Sequence, residues 1–106
     1  MRMRKLLVLG ILGLMCAGAS ARTLLIDVRT PAEYAAGHLD GALNIDHQVI
    51  AQRIGMTGAS KDDELILYCR SGHRAGIALE TLSGMGYKKV VNYGGMEEAR
   101  QRLPQK

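Results

Sequence analysis

Short apolar runs alternate with helix-forming segments along residues 23–103, and this order is the strongest constraint on the fold. Residues 23–28 and 65–68 are apolar with little polar alternation, as expected of strands that are covered on both faces. Residues 42–45 and 88–92 are weaker strand candidates. Strands that alternate with helices predict a single α/β domain with a mainly parallel central sheet and helices on both faces.

The clearest helix start lies directly after the first strand. Thr30 is predicted as the N-cap, Pro31 as the first helical residue and Glu33 as the partner that closes a capping box. This short helix is expected to end at Gly37. Further helices are predicted over 49–54, 73–85 and 96–103, a loop over 55–63 and a turn at 94–95.

The N-terminal segment has the features of a secretory signal. A basic start is followed by 11 apolar residues, 6–16, and then by small residues that end in Ala19, Ser20 and Ala21. An A-x-A ending of this kind predicts cleavage after Ala21. The apolar run is shorter than the ~20 residues that span a bilayer, so an uncleaved anchor is the less favoured alternative. We therefore predict a signal peptide over 1–21 and the folded domain over 22–106.

Cleavage would leave 85 of the 106 residues and remove Cys16, so that Cys69 becomes the only cysteine of the mature chain. Eleven Lys and Arg residues would then face 10 Asp and Glu residues, and the net charge would fall from +4 to +1. No basic stripe remains for a phosphate backbone, and nucleic-acid binding is not expected. A single thiol excludes a dithiol mechanism, and its retention in an oxidising compartment indicates use.

Cys69 stands where an apolar strand ends and a short basic loop begins. The residues between this strand and the next predicted helix place the sulfur near backbone N–H groups and the positive end of a helix dipole. Such surroundings favour the reactive thiolate. Ligands of open α/β sheets also bind beyond the carboxyl ends of strands. An inert buried cysteine is the alternative, and the basic neighbours argue against it.

The loop after Cys69 is predicted to bind a small anion. Its candidate binding residues are Arg70, Ser71, Gly72, His73 and Arg74. Gly72 permits the tight curvature of an anion-binding nest, and the basic side chains surround it with positive charge. Cysteine-dependent phosphatases place arginine after five intervening residues, but Ala75 stands at that position and Arg74 comes one residue early. The shorter ring favours sulfur transfer over phosphate-ester hydrolysis.

Four segments resemble the rhodanese family of sulfurtransferases, in the family's order and with its loop length. They are residues 25–34 (LIDVRTPAEY), 37–45 (GHLDGALNI), 67–74 (LYCRSGHR) and 84–96 (GMGYKKVVNYGGM). Ala99 is a departure, because many relatives carry tryptophan near this position, and it leaves the packing of the last helix open. The resemblance implies one rhodanese-like domain that covers nearly all of the mature chain.

The resemblance also implies a function, which is thiosulfate sulfurtransferase activity through a Cys69 persulfide. The expected partners are a small anionic donor such as thiosulfate and a thiol or cyanide acceptor, with no metal or organic cofactor. With the signal peptide, the resemblance implies a periplasmic monomer without stable membrane insertion after cleavage. The alternatives are a persulfide carrier that does not turn over and, with less support, a phosphatase or arsenate reductase on the same fold.

The remaining polar candidates are expected to be structural. Asp27 and Arg29 belong to the family's Asp-Val-Arg motif and are expected to brace the loop or a neighbouring turn. His38 is expected to make structural hydrogen bonds, and His47 to lie on the surface. The three histidines lack a tight ligand spacing, so no metal site is expected.

Overall fold

The computed structural model describes residues 21–104. The strands of this region are β1 Thr23–Asp27, β2 Leu43–Asn44, β3 Glu64–Cys69 and β4 Lys89–Gly95. Its α-helices are α1 Pro31–Ala36, α2 Ile50–Arg53, α3 His73–Gly84 and α4 Met96–Arg102. The predicted signal peptide lies almost entirely outside the described residues.

The strands form one sheet in the order β2-β1-β3-β4. Every strand pair in the described region is parallel, as the alternation of strands and helices predicted. Strand β3 lies between β1 and β4, and its last five residues, 65–69, are all buried. Because the strands run in one direction, their carboxyl ends meet at one edge of the sheet, and this edge carries Cys69.

Helices cover both faces of the sheet, which confirms the predicted α/β architecture. Successive residues of β3 point to opposite faces, so Leu67 and Cys69 pack on one side and Tyr68 on the other. The first face is covered by α2, the 3-10 turn that follows it and α3, through residues that include Ile50, Ile54, Ala75, Ala78 and Leu82. The second face is covered by residues of α1, the 38–42 segment and α4, namely Tyr34, Leu39, Ala42, Met96 and Ala99.

Helix α1 forms where the capping signal predicts it. The Glu33 N–H donates to Thr30 Oγ1 (3.2 Å), and the Thr30 N–H donates back to Glu33 Oε1 (3.0 Å). Pro31 occupies the first helical position, where a missing N–H has no cost. The helix ends at Gly37, whose N–H donates to the Tyr34 carbonyl (3.1 Å). The capping box therefore fixes Glu33 on the first turn of this helix.

Two of the sequence-based boundaries are wrong. The helix predicted over 49–54 is regular only over Ile50–Arg53, and 3-10 turns at His47–Val49 and Ile54–Thr57 flank it, the second of them inside the predicted loop. Gly94 and Gly95 are not a free turn, because β4 continues through them and Gly95 pairs with Cys69. A Cβ atom on Gly95 would lie 2.4 Å from the Arg70 carbonyl oxygen. The glycine is therefore needed for a close approach of two backbones.

Ala99 packs the last helix without a large aromatic side chain. It is fully buried, in the cluster that contains Tyr68 and Leu39. The Glu98 carboxylate reaches back to accept from the Gly95 N–H (2.9 Å), which holds the start of α4 against the end of β4. The helix therefore docks on the sheet through a small residue.

Candidate active site

Cys69 occupies the carboxyl end of β3, where its side chain faces α3. The residue is only 1% exposed and is the free cysteine of the described region. The Gly72 N–H donates to its sulfur over an N···S distance of 2.9 Å. A backbone donor aimed at sulfur stabilises negative charge there without introducing a group that could itself react.

The turn between β3 and α3 contains only three residues, Arg70, Ser71 and Gly72, because α3 begins at His73. Gly72 is the N-cap and lies in the left-handed region, with φ 100°, which a residue with a Cβ adopts only at a cost. A glycine cap has no side-chain acceptor, so it leaves the N–H groups of the first helical turn available. These groups and the helix dipole make the edge beside Cys69 suitable for an anion.

The three basic side chains of the loop have different surroundings. Arg70 is 75% exposed, and His73 is also exposed. Arg74 is half-buried and donates two hydrogen bonds to the Glu33 carboxylate, with N···O distances of 2.8 and 3.1 Å. Arg70 reaches the same carboxylate only at 3.7 Å. The three side chains therefore do not contribute equally to the positive charge predicted around the loop, because Arg74 is already paired.

Glu33 is the site residue that sequence reasoning did not find. Its hydrogen bonds from Arg74, followed by that from the Thr30 N–H, lower its pKa below the ordinary value of 4.5. The same pairing raises the pKa of Arg74, with a smaller electrostatic contribution from Cys69. The capping pattern accounted for Glu33 locally and gave no sign that α1 meets the start of α3. Glu33 thus ties the α1 helix to the first turn of α3, next to the turn that follows Cys69.

Asp27 and Arg29 brace a neighbouring turn rather than the Cys69 loop. The Arg29 guanidinium donates to both Asp27 oxygens, with a shortest N···O distance of 2.6 Å, and both side chains are buried. This hydrogen bonding raises the pKa of Arg29. Arg29 also donates to the Gly37 carbonyl (2.7 Å), where α1 ends. The two charges are paired with each other because a charged group this deeply buried needs a partner. The pair is therefore part of the frame around the site.

Tyr68, His38 and His47 differ in how they are held. The Tyr68 hydroxyl accepts from the Leu39 N–H (3.0 Å), and burial raises the pKa of Tyr68 to about 12. His38 stacks on Tyr34 and contacts the Tyr34 carbonyl through Nδ1 (2.8 Å). His47 is more enclosed than expected, with 17% of its side chain exposed. Its buried Nδ1 lies 3.3 Å from Asp46 Oδ1 without a hydrogen bond.

The surface next to Cys69 is shallow. A depression of about 310 Å³ runs along the start of α3 and is lined by Gly72, His73, Gly76, Ile77 and Glu80. A larger cleft, of about 710 Å³, lies elsewhere between the 38–41 segment and α4, and no residue of the 69–74 loop lines it. The larger cleft is therefore separate from Cys69 and the turn that follows it. The smaller depression at the start of α3 suits a small ligand rather than one that needs a deep cavity.

Residues 21–104 contain neither a metal-ligand cluster nor a membrane-spanning helix. They contain no group of three or more His, Cys, Asp or Glu side chains arranged to hold a metal ion. No helix in this part of the chain has both the length and the apolar character needed to cross a bilayer. The groups found around Cys69 are its thiol, the backbone donor of Gly72 and charged side chains. These groups suit nucleophilic chemistry on a small anion.

The rhodanese-like domain family has a sequence model that matches residues 14–101 of this chain. The chain belongs to the rhodanese-like family. The thiosulfate sulfurtransferase PspE of Escherichia coli is 41% identical over 73 residues, which cover 69% of this chain and 70% of that protein. A sulfurtransferase of Allochromatium vinosum is 41% identical over 83 residues, which cover 76% of each protein.

A solved rhodanese structure from E. coli, described as containing anions, has the same fold. Its TM-score to this chain is 0.69 at 39% sequence identity, and the match covers 72% of this chain and 89% of that one. The human single-domain sulfurtransferase TSTD1 gives a TM-score of 0.67 at 27% identity, over 90% and 93% of the two chains. These similarities confirm the rhodanese-like fold and support sulfurtransferase activity.

The Glu33–Arg74 pair predicts a specific pH dependence of stability. Because the pKa of Glu33 is lowered in the folded state, its stabilisation is present above the ordinary value of 4.5 and is lost as the pH falls below it. We expect Glu33→Gln to lower the free energy of unfolding by about 1 to 2 kcal/mol at neutral pH. Urea denaturation of both proteins should show this difference narrowing in acid.

The matched control is Glu97→Gln, which removes an exposed carboxylate whose contact with Arg100 is also exposed. The free energy of unfolding of that variant should equal that of the wild-type protein at every pH, because exposed ion pairs contribute little to stability. A Glu33→Gln variant as stable as wild type at neutral pH would show that the pairing with Arg74 has no net stabilising effect.

Proposed function

We propose that this protein is a thiosulfate sulfurtransferase that carries sulfane sulfur as a persulfide on Cys69. The observation that supports this most directly is the 2.9 Å hydrogen bond from the Gly72 N–H to the Cys69 sulfur, at the start of α3. The thiolate attacks the outer sulfur of thiosulfate, and a new S–S bond forms. The S–S bond of thiosulfate breaks, and sulfite leaves with its electron pair. The product is an anionic persulfide beside the backbone donors.

The second half of the reaction returns Cys69 to its starting state. A nucleophilic acceptor attacks the terminal sulfur of the persulfide, the S–S bond to Cys69 breaks, and the cysteine keeps the electron pair as a thiolate. Cyanide would leave as thiocyanate, and a thiol would leave as a persulfide. The shallow depression at the start of α3, lined in part by Gly72 and Gly76, has room for a small acceptor. No metal or organic cofactor takes part in either half.

We assign attraction of the anionic donor to Arg70 rather than to Arg74. Arg74 already donates two hydrogen bonds to Glu33, so its charge is largely compensated. Arg70 is 75% exposed, and its contact with Glu33 is 3.7 Å long. An exposed contact of this kind is weak, and Arg70 can leave it to meet a donor.

The same arrangement argues against phosphate-ester hydrolysis. A phosphatase loop needs an arginine at position 75, but Ala75 is there and is fully buried against the core. Arg74, one position earlier, points its guanidinium to Glu33. A phosphoryl group would therefore have no guanidinium fork dedicated to it. Absence of turnover with an aryl phosphate is the expected result.

The first test is the loss of sulfur transfer in Cys69→Ser. Purified protein mixed with thiosulfate and cyanide should release thiocyanate over many turnovers, and the variant should release none above background. Cys69→Ser is nearly isosteric, so unchanged thermal unfolding would exclude misfolding as the cause. Thiocyanate release by this variant would contradict the proposal.

Peptide mass mapping of the same samples separates an enzyme from a carrier. After thiosulfate alone, the peptide that contains Cys69 should gain the mass of one sulfur atom, and cyanide should remove it. A gain of one sulfur without repeated turnover would favour the persulfide carrier.

The second test concerns Arg70. We expect Arg70→Ala to raise KM for thiosulfate about fivefold with little change in kcat, which corresponds to the loss of about 1 kcal/mol from one exposed charge. Arg53→Ala removes an exposed arginine from α2 and is the matched control, with unchanged kinetics expected. High salt should reduce the difference between Arg70→Ala and wild type. An unchanged KM would exclude Arg70 as the donor-attracting residue.

We also propose that the protein is exported to the periplasm and cleaved after Ala21. The support is the basic start, the short apolar run and the small residues 19–21. Full-length protein made in a Gram-negative host should appear in the periplasmic fraction with Arg22 as its N-terminus. Ala19→Lys should block cleavage at that site, because the site accepts small residues only. Uncleaved wild-type protein in the cytoplasm would contradict the proposal.

A further inference from the structure

Asn92 is a polar residue on a face of β4 that otherwise packs into the core. In the parallel register, Asn92 pairs with Leu67 and Val90 pairs with Leu65, so all four residues share the face that α3 covers. Val90 packs against the apolar cluster of this face. A half-buried amide at the next inward position needs hydrogen-bond partners to offset its desolvation.

Both ends of the Asn92 amide have a backbone partner. Its Nδ2 donates to the Gly72 carbonyl (2.9 Å), and its Oδ1 accepts from the Gly94 N–H (2.8 Å). The second bond sets the orientation of the amide, because only the oxygen can accept from an N–H. Asn92 therefore connects the end of β4 to the turn that follows Cys69.

Gly72 is the residue whose geometry most needs an external restraint. Its N–H donates to the Cys69 sulfur, but its φ of 100° is one of several conformations open to a glycine. The Gly72 carbonyl accepts both the Asn92 amide and the Gly76 N–H, the latter at 3.0 Å. A Cβ on Gly72 would lie 3.2 Å from Gly94 Cα, so the turn already rests against the end of β4.

We propose that Asn92 is a positioning residue for Cys69, because it holds Gly72 in the orientation that directs its N–H to the sulfur. Asn92 need not touch the substrate. It acts through Gly72, on the reactivity of the thiolate and on the stability of the persulfide. This role rests on the proposed sulfur transfer. The effect of Asn92 on the reactivity of the unmodified Cys69 thiol does not depend on which sulfur donor is used.

The rate at which the unmodified Cys69 thiol is alkylated distinguishes the two possible effects of an Asn92 variant. Loss of positioning should lower this rate, and loosening of the fold should raise it. Cys69 is 1% exposed, so a variant that merely loosens the fold should react faster with iodoacetamide. A variant that loses the directed N–H should react more slowly, because that N–H stabilises the thiolate, which is the reactive form of the cysteine. We expect Asn92→Ala to slow the modification of Cys69 by iodoacetamide about threefold, which corresponds to the loss of less than one hydrogen bond's typical free energy.

Persulfide formation should be more sensitive than alkylation. In single-turnover reactions of the full-length protein with thiosulfate, Asn92→Ala should form the Cys69 persulfide about tenfold more slowly. Peptide mass mapping follows Cys69 separately from Cys16. Asn92→Asp keeps an oxygen for the Gly94 N–H but removes the donor to Gly72, and it should be at least as slow as Asn92→Ala. This variant is nearly isosteric and keeps the test usable if the alanine variant folds poorly.

Asn44→Ala is the matched control. The Asn44 amide also donates to backbone carbonyls at the carboxyl edge of the sheet, those of Asp27 (3.1 Å) and Arg29 (3.0 Å). Its loss should lower thermal stability while alkylation and persulfide formation stay within about twofold of wild type. Equal slowing by Asn44→Ala, or unchanged or faster alkylation in Asn92→Ala, would overturn the positioning role. If thiosulfate leaves wild-type Cys69 unmodified, sulfur transfer from thiosulfate is wrong, and the alkylation comparison still decides the role of Asn92.

Discussion

The parallel pairing of β3 with β1 on one side and β4 on the other is the constraint on which the rest of the structure depends. This register places Asp27 beside Tyr68 and Gly95 beside Cys69, at the carboxyl edge of the sheet. The edge is where α3 begins, so the Cys69 sulfur lies near the positive end of the helix dipole. Gly95 lets the loop carbonyl of Arg70 come close, and a larger residue there would push the turn away.

Charge near the site is arranged in two pairs with different consequences. Asp27 and Arg29 are buried together and hold the turn where α1 ends. Among the contacts of the described residues, neither side chain has a hydrogen bond to Cys69 or to the turn that follows it. Glu33 and Arg74 join α1 to the loop itself and remove one arginine from competition for an anion. Arg70 remains exposed at the rim. A small dianion would therefore meet one accessible guanidinium, backbone donors and a nucleophile that is nearly enclosed.

Local signals predicted the fold well wherever the deciding contacts are close in sequence. The capping box of Thr30 and Glu33 and the apolar run 65–68 depend on near neighbours and the burial of a single element, and both appear as predicted. The prediction of a turn at 94–95 was wrong, because glycine also serves where two backbones approach. Nothing local shows that Gly95 lies under Arg70. The length of the second predicted helix was overestimated, because the spacing of apolar residues does not distinguish an α-helix from 3-10 turns.

The sequence by itself determined the family and the parallel α/β class, and it indicated Cys69 as the candidate nucleophile, because strand and helix periodicity and the order Cys69, Gly72, Arg74 are properties of the chain. Only the tertiary structure decided what each charged or amide side chain does. Glu33 and Arg74 are 41 residues apart, and Asn92 is 20 residues from Gly72. Such pairings follow from the docking of α1 and β4 around α3. The partner of a polar group is set by packing, which a linear pattern of residue types does not encode.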